Sequence, residues 1–140
     1  MHLSTTVIII IITCLVSITA FYKPDELNKL LLWPAMMRER NQYYRFITSG
    51  FVHADWMHLG FNMITLYYFG RIVEVYFREL FGPGVFILFY LIAMVVADLQ
   101  TYFKYRHTYN YRALGASGAV SAVLFASILF NPWAKIYLFF

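Results

Sequence analysis

Two long stretches of this chain carry no charged residue: residues 3–21 and residues 113–134. About twenty such residues cross the hydrocarbon core of a bilayer. There the backbone must satisfy its own polar groups, which restricts spanning segments to helices and closed barrels. Two further stretches are nearly as clean. Residues 85–103 are interrupted only by Asp98, and a run beginning near Asp55 and reaching about residue 77 carries only Arg71 and Glu74 besides His58. Composition agrees, at 61% apolar and 13% charged against about 45–50% and 25% in soluble domains. The expected class is therefore all-α: a polytopic membrane helix bundle of four helices plus the start of a fifth, in one domain spanning 1–140.

The first run has no basic leader and no small-x-small cleavage site, so it reads as a membrane helix and not as a signal peptide. It ends near Lys23-Pro24, because proline disfavours helix at the residue before it. Residues 23–55 then place Trp33, Met36, Met37, Tyr43 and Tyr44 among Arg38, Arg40 and Arg45, a mixture suited to the membrane interface. Asp55 is positioned to cap the second helix, in which Arg71 and Glu74 stand three apart and are expected to pair. Gly82-Pro83-Gly84 turns the chain into the third helix, residues 104–114 form a tyrosine-rich connector, and the fourth helix opens at Ser117. The apolar residues after Lys135 are expected to begin a fifth, so that the chain breaks off within it.

The net charge of +4 falls in connectors beside apolar runs. Anionic lipid headgroups are the expected neighbours there, and no nucleic acid. Cys14, the one cysteine, lies inside the first run and is expected to pack as a small hydrophobe.

The polar residues within the apolar segments carry the chemistry, since such groups are costly in a bilayer. Successive helices alternate in direction, so the starts of helices two and four emerge on the same side. His53, His58 and Asn62 cluster at the first of these starts, and Gly115-Ala116-Ser117-Gly118 lies at the second. His58 and Asn62 are four residues apart, hence on one stripe of a helix, able to offer two donors to one point. Ser117 at a helix start adds its own N–H in a dipole field that favours an anion. Together they make a nucleophile with an oxyanion hole. Glu74 is expected at the far end of helix two. A zinc site fails for want of ligands beside His53 and His58, and no metal or organic cofactor is expected.

Taken together, these motifs resemble the rhomboid intramembrane serine proteases. The likeness rests on a first helix, a long interfacial connector, His53-x4-His58-x3-Asn62 opening helix two, Gly70-x3-Glu74 within it, and Gly115-Ala116-Ser117-Gly118 opening helix four. It implies that Ser117 is the nucleophile, that His58 and Asn62 complete the oxyanion hole, and that His53 lines the same site. It implies a serine endopeptidase acting on transmembrane protein substrates in the lipid bilayer, as a multi-pass protein expected in the bacterial plasma (inner) membrane. The alternative is a catalytically inactive relative that binds membrane helices. The chain departs from the family in three places. Tyr44-Arg45 stands where the family has Trp-Arg, and Ser121 replaces a tyrosine common four residues after the nucleophile. No histidine follows His107, whereas the resemblance implies a general-base histidine on a sixth helix.

Overall fold

The structure, a computed structural model, describes residues 3–135; the expected start of a fifth membrane helix lies outside them. The helices are α1 (Thr5–Tyr22), α2 (Pro24–Leu30), α3 (Pro34–Arg40), α4 (Arg45–Thr48), α5 (Trp56–Thr65), α6 (Arg71–Phe81), α7 (Val85–Tyr105) and α8 (Ser117–Phe130). A 3-10 turn, Ser49–Phe51, follows α4, and a π-helical segment, Leu66–Gly70, joins α5 to α6. The Leu66 amide still bonds the carbonyls of Asn62 and Met63, and right-handed helical angles continue to Arg71. Residues 56–81 are therefore one rod of about 39 Å at 1.5 Å per residue. Among the described residues the only β-pairing is an isolated antiparallel bridge between Leu32 and Ala113.

The bundle is apolar on the outside. On α1 the inward stripe is Thr6, Ile9, Thr13, Ser17 and Ala20, while Ile8, Ile11, Ile12 and Leu15 face outward. The same inversion puts Leu88, Ile92 and Val96 on the exterior of α7, and Phe125, Ile128 and Leu129 on that of α8. Water would penalise this arrangement by about 25 cal/mol per Å² of apolar surface. Lipid does not, and in lipid small and hydroxyl residues are what let helices close on one another. Leu66, Val73, Tyr90 and Val123 form the fully buried centre.

Gly70 shows how sequence sets one of these contacts. A Cβ there would lie 2.8 Å from Thr6 Cγ2, so only glycine lets the start of α1 approach helix two so closely. One turn on, the Glu74 carboxylate accepts from the amides of Thr5 and Thr6 at 2.6 and 2.9 Å and from the Thr6 hydroxyl at 2.7 Å. The expected Arg71–Glu74 pair does not form. The unpaired amides of a helix start attract the carboxylate, and Arg71 bonds the Tyr67 hydroxyl instead.

The connector between α1 and α5 packs upon itself. Arg45 is buried and donates to the carbonyls of Asn28 and Leu31 and to the Gln42 side chain. It ties the end of α2 to α4 and is not a headgroup arginine, whereas Arg38 and Arg40 are exposed.

Candidate active site

Ser117 is the first residue of α8, and the turn before it is fastened at three points. Leu32 and Ala113 exchange backbone bonds of 2.8 and 3.0 Å, the Gly115 amide donates to the Ser49 carbonyl at 2.9 Å, and the Ala116 amide donates to His53 Nε2 at 3.3 Å. Gly115 has φ +113°, a left-handed conformation that side chains resist. That turn brings the chain from the 104–114 connector onto the axis of α8. A Cβ on Gly118 would collide with the Cβ of Ala97, so glycine there sets the close approach of α8 to α7.

α8 has no side-chain cap: its N-cap residue is Ala116. Ser4 and Asp55 fill that role for α1 and α5, but the first-turn amides of α8 are left for an incoming acceptor. The Ser117 side chain itself is exposed.

α5 packs against both α1 and α8, and its register decides which side chains meet which neighbour. Leu59 and Met63 are buried in the core with Ala116, Ala119 and Val120. At about 100° per residue, Trp56 lies roughly 60° to one side of Leu59 and Asn62 roughly 60° to the other, with His58 beyond Asn62. Trp56 packs against Phe21 of α1, the rings tilted with centroids 4.9 Å apart. The His58–Asn62 stripe thus occupies the flank turned away from α1. Asn62 is half-buried and His58 exposed.

Asp55 does two jobs for His58. One carboxylate oxygen accepts from the His58 amide at 2.9 Å, capping α5, and the other lies 2.7 Å from His58 Nδ1. The amide first, then the ring, hold the Asp55 carboxyl below its ordinary range. The carboxylate can only accept, so His58 Nδ1 donates to it, and this bond fixes the orientation of the ring.

His53 was expected to line the site, and the structure buries it: it is 1% exposed. Its Nδ1 lies 3.0 Å from Ser17 Oγ, and that hydroxyl donates to the Phe51 carbonyl. Because Nε2 accepts from an amide, the proton sits on Nδ1 and points at Ser17. The ring links α1, the loop before α5 and the turn before Ser117. Burial first, and the His58 ring second, push its pKa down to about 4, so it is neutral at pH 7.

Two residues near the serine were not singled out as site residues from sequence. Asp98 on α7 accepts from the Ser49 hydroxyl at 3.3 Å and lines a small cavity of about 10 Å³ with Gly115 and Gly118. Its signal was visible, a lone carboxylate inside an apolar run. Ser17 was hidden among other hydroxyl residues of α1. Glu74 lies along α1 from this site, since it binds Thr6 while His53 binds Ser17, roughly 16 Å away at 1.5 Å per residue. Among the described residues no cluster of three His, Cys, Asp or Glu side chains is placed to hold a metal.

Comparison with known proteins follows the same lines. A family model described as Rhomboid domain matches residues 40–140. Over 97 residues the chain is 37% identical to Rhomboid-like protein 11, chloroplastic, of Arabidopsis thaliana, covering 67% of this chain and 32% of that protein. It is 32% identical over 108 residues to RHOMBOID-like protein 12, mitochondrial, of the same plant, covering 69% and 32%. With Rhomboid protease GlpG of Haemophilus influenzae the identity is 28% over 100 residues, covering 71% and 48%. The chain spans about a third to a half of the length of these curated relatives.

Proposed function

This chain belongs to the rhomboid family, and we propose that it carries the nucleophile and oxyanion half of a serine endopeptidase that cleaves transmembrane segments of other membrane proteins. The observation that carries the reading is the uncapped start of α8, where Ser117 stands exposed beside first-turn amides on a helix packed against α5. In the reaction Ser117 Oγ attacks the scissile carbonyl and its proton passes to a general base. The Ser117 N–H, Asn62 and His58 then receive the negative oxygen. Collapse expels the amine, which takes the proton back, and water repeats the sequence on the acyl-enzyme. Serine without a base is a weak nucleophile. By family resemblance the base is a histidine on a helix outside residues 1–140. Substrates are membrane helices that unwind easily, since a peptide bond in a stable helix is shielded.

The family is membrane-embedded. The organelle names of two relatives give no support to a bacterial plasma membrane, so the bilayer is left here as one of bacterial or organellar type. The second reading is a relative that binds membrane helices without cutting them.

The test uses the full-length protein in detergent with a fluorophosphonate, a reagent that labels only activated serines. Stoichiometric labelling at Ser117, lost in Ser117→Ala, is the expected result. Retention of a transmembrane peptide with no labelling would establish the binder, and labelling that persists in Ser117→Ala would refute both.

A further inference from the structure

On the face of the bundle that carries Ser117, α3 runs along the 106–113 connector. Trp33 Nε1 donates to the Tyr109 carbonyl at 2.9 Å, and Arg112 lies over the Trp33 ring at 4.0 Å. One turn further on, Arg38 Nε donates to the Arg106 carbonyl at 3.0 Å. The Arg38 side chain from one connector is thereby held against the backbone of Arg106 at the start of the other. The one carboxylate near either arginine among the described residues is Glu39, 3.5 Å from Arg38 Nη2. Arg106 Nε is buried without a hydrogen-bond partner, a state that calls for an explanation such as a missing anion.

The surface beneath this pair is continuous. The Arg106 guanidinium sits 5.3 Å over the Phe103 ring, and Phe103 heads an exposed stripe of Leu99, Val96, Ile92 and Leu88 down α7. Spacings of three and four put these five on one helical face. Cations above, an aromatic at the boundary and an aliphatic track below match the layers of a phospholipid: phosphate, glycerol and acyl chain. Free phosphate would use the two arginines but have no use for the track.

We propose that Arg38 and Arg106 bind the phosphate of an anionic phospholipid whose acyl chain lies along Phe103, Leu99, Val96, Ile92 and Leu88. The site joins α3 to the end of α7 and so braces the connectors that fasten the turn before Ser117. It depends on the membrane bundle alone and not on proteolysis.

The probe is spin-labelled phosphatidylglycerol or phosphatidylcholine, at low mole fraction in phosphatidylcholine vesicles holding the full-length protein. Electron paramagnetic resonance reads the motionally restricted fraction of each lipid. Wild-type protein is expected to select phosphatidylglycerol, and Arg38→Gln/Arg106→Gln to lose about fivefold of that preference per arginine. Arg38→Lys/Arg106→Lys keeps the charge and should keep most of the preference, which separates lost binding from lost folding. Arg78→Gln, on the opposite side of the bundle, should change nothing. Equal restriction of the two lipids in wild type, or a preference unchanged in the glutamine variant, would overturn the proposal. Displacement of phosphatidylglycerol by millimolar inorganic phosphate would also overturn it, in favour of a soluble-anion site.

Discussion

The His53 ring accepts the amide hydrogen of Ala116 at 3.3 Å, and Ala116 is the residue immediately before the candidate nucleophile. The bond exists only while Nε2 is bare, so the position of Ser117 is tied to the protonation state of a buried histidine. In the unfolded chain a histidine takes up its proton near pH 6.5. In the folded chain His53 resists it until about pH 4. Between those values the unfolded state binds more protons, so stability falls as pH drops from 6.5 toward 4 and levels off below. Thermal midpoints in detergent should show this fall in the wild type and a weaker one in His53→Gln. Parallel curves for the two proteins would remove His53 from the account.

Asp55→Asn separates two roles. Asparagine caps a helix about as well as aspartate, so the melting temperature should barely move. The carboxylate opposite His58 is lost, however, and with it the bond of 2.7 Å that orients the ring. Cleavage by the full-length protein should drop by roughly tenfold, which corresponds to about 1.4 kcal/mol of barrier. Loss of stability with full activity retained would mean that Asp55 is only a cap.

Gly118→Ala should destabilise the bundle by about 1–3 kcal/mol, the usual cost of overpacking, because the new methyl meets the Cβ of Ala97. Ala97→Gly removes that obstacle. The double variant should recover most of the loss in a detergent melt, and strictly additive effects would show that the two positions are not in contact.

What could be read from the sequence was whatever depends on local pattern. The apolar runs located α1, α7 and α8 to within a few residues, and Asp55 declared itself as a cap through its place before an apolar run. The fastenings of the serine turn could not be read. Two of them, Leu32 with Ala113 and Ser49 with Gly115, use backbone groups, which leave no residue signature. The Arg71–Glu74 spacing misled because a helix pair competes with distant amides, and α1 supplied the better partner. Arg45 looked interfacial because exposure cannot be told from a list of neighbours in sequence. His53 was noticed for its spacing, but its spacing to His58 says nothing about which side of the chain is buried.

In the proposed reaction Ser117 and the α5 stripe act as one catalytic unit. The decisive measurement is initial-rate cleavage of a single-span model substrate by the full-length protein in liposomes, comparing wild type with Ser117→Ala and Asn62→Ala. Complete loss in Ser117→Ala and a fall of about 10²–10³-fold in Asn62→Ala, the cost of one oxyanion donor, is the predicted result. Cleavage by Ser117→Ala at the wild-type rate would contradict it.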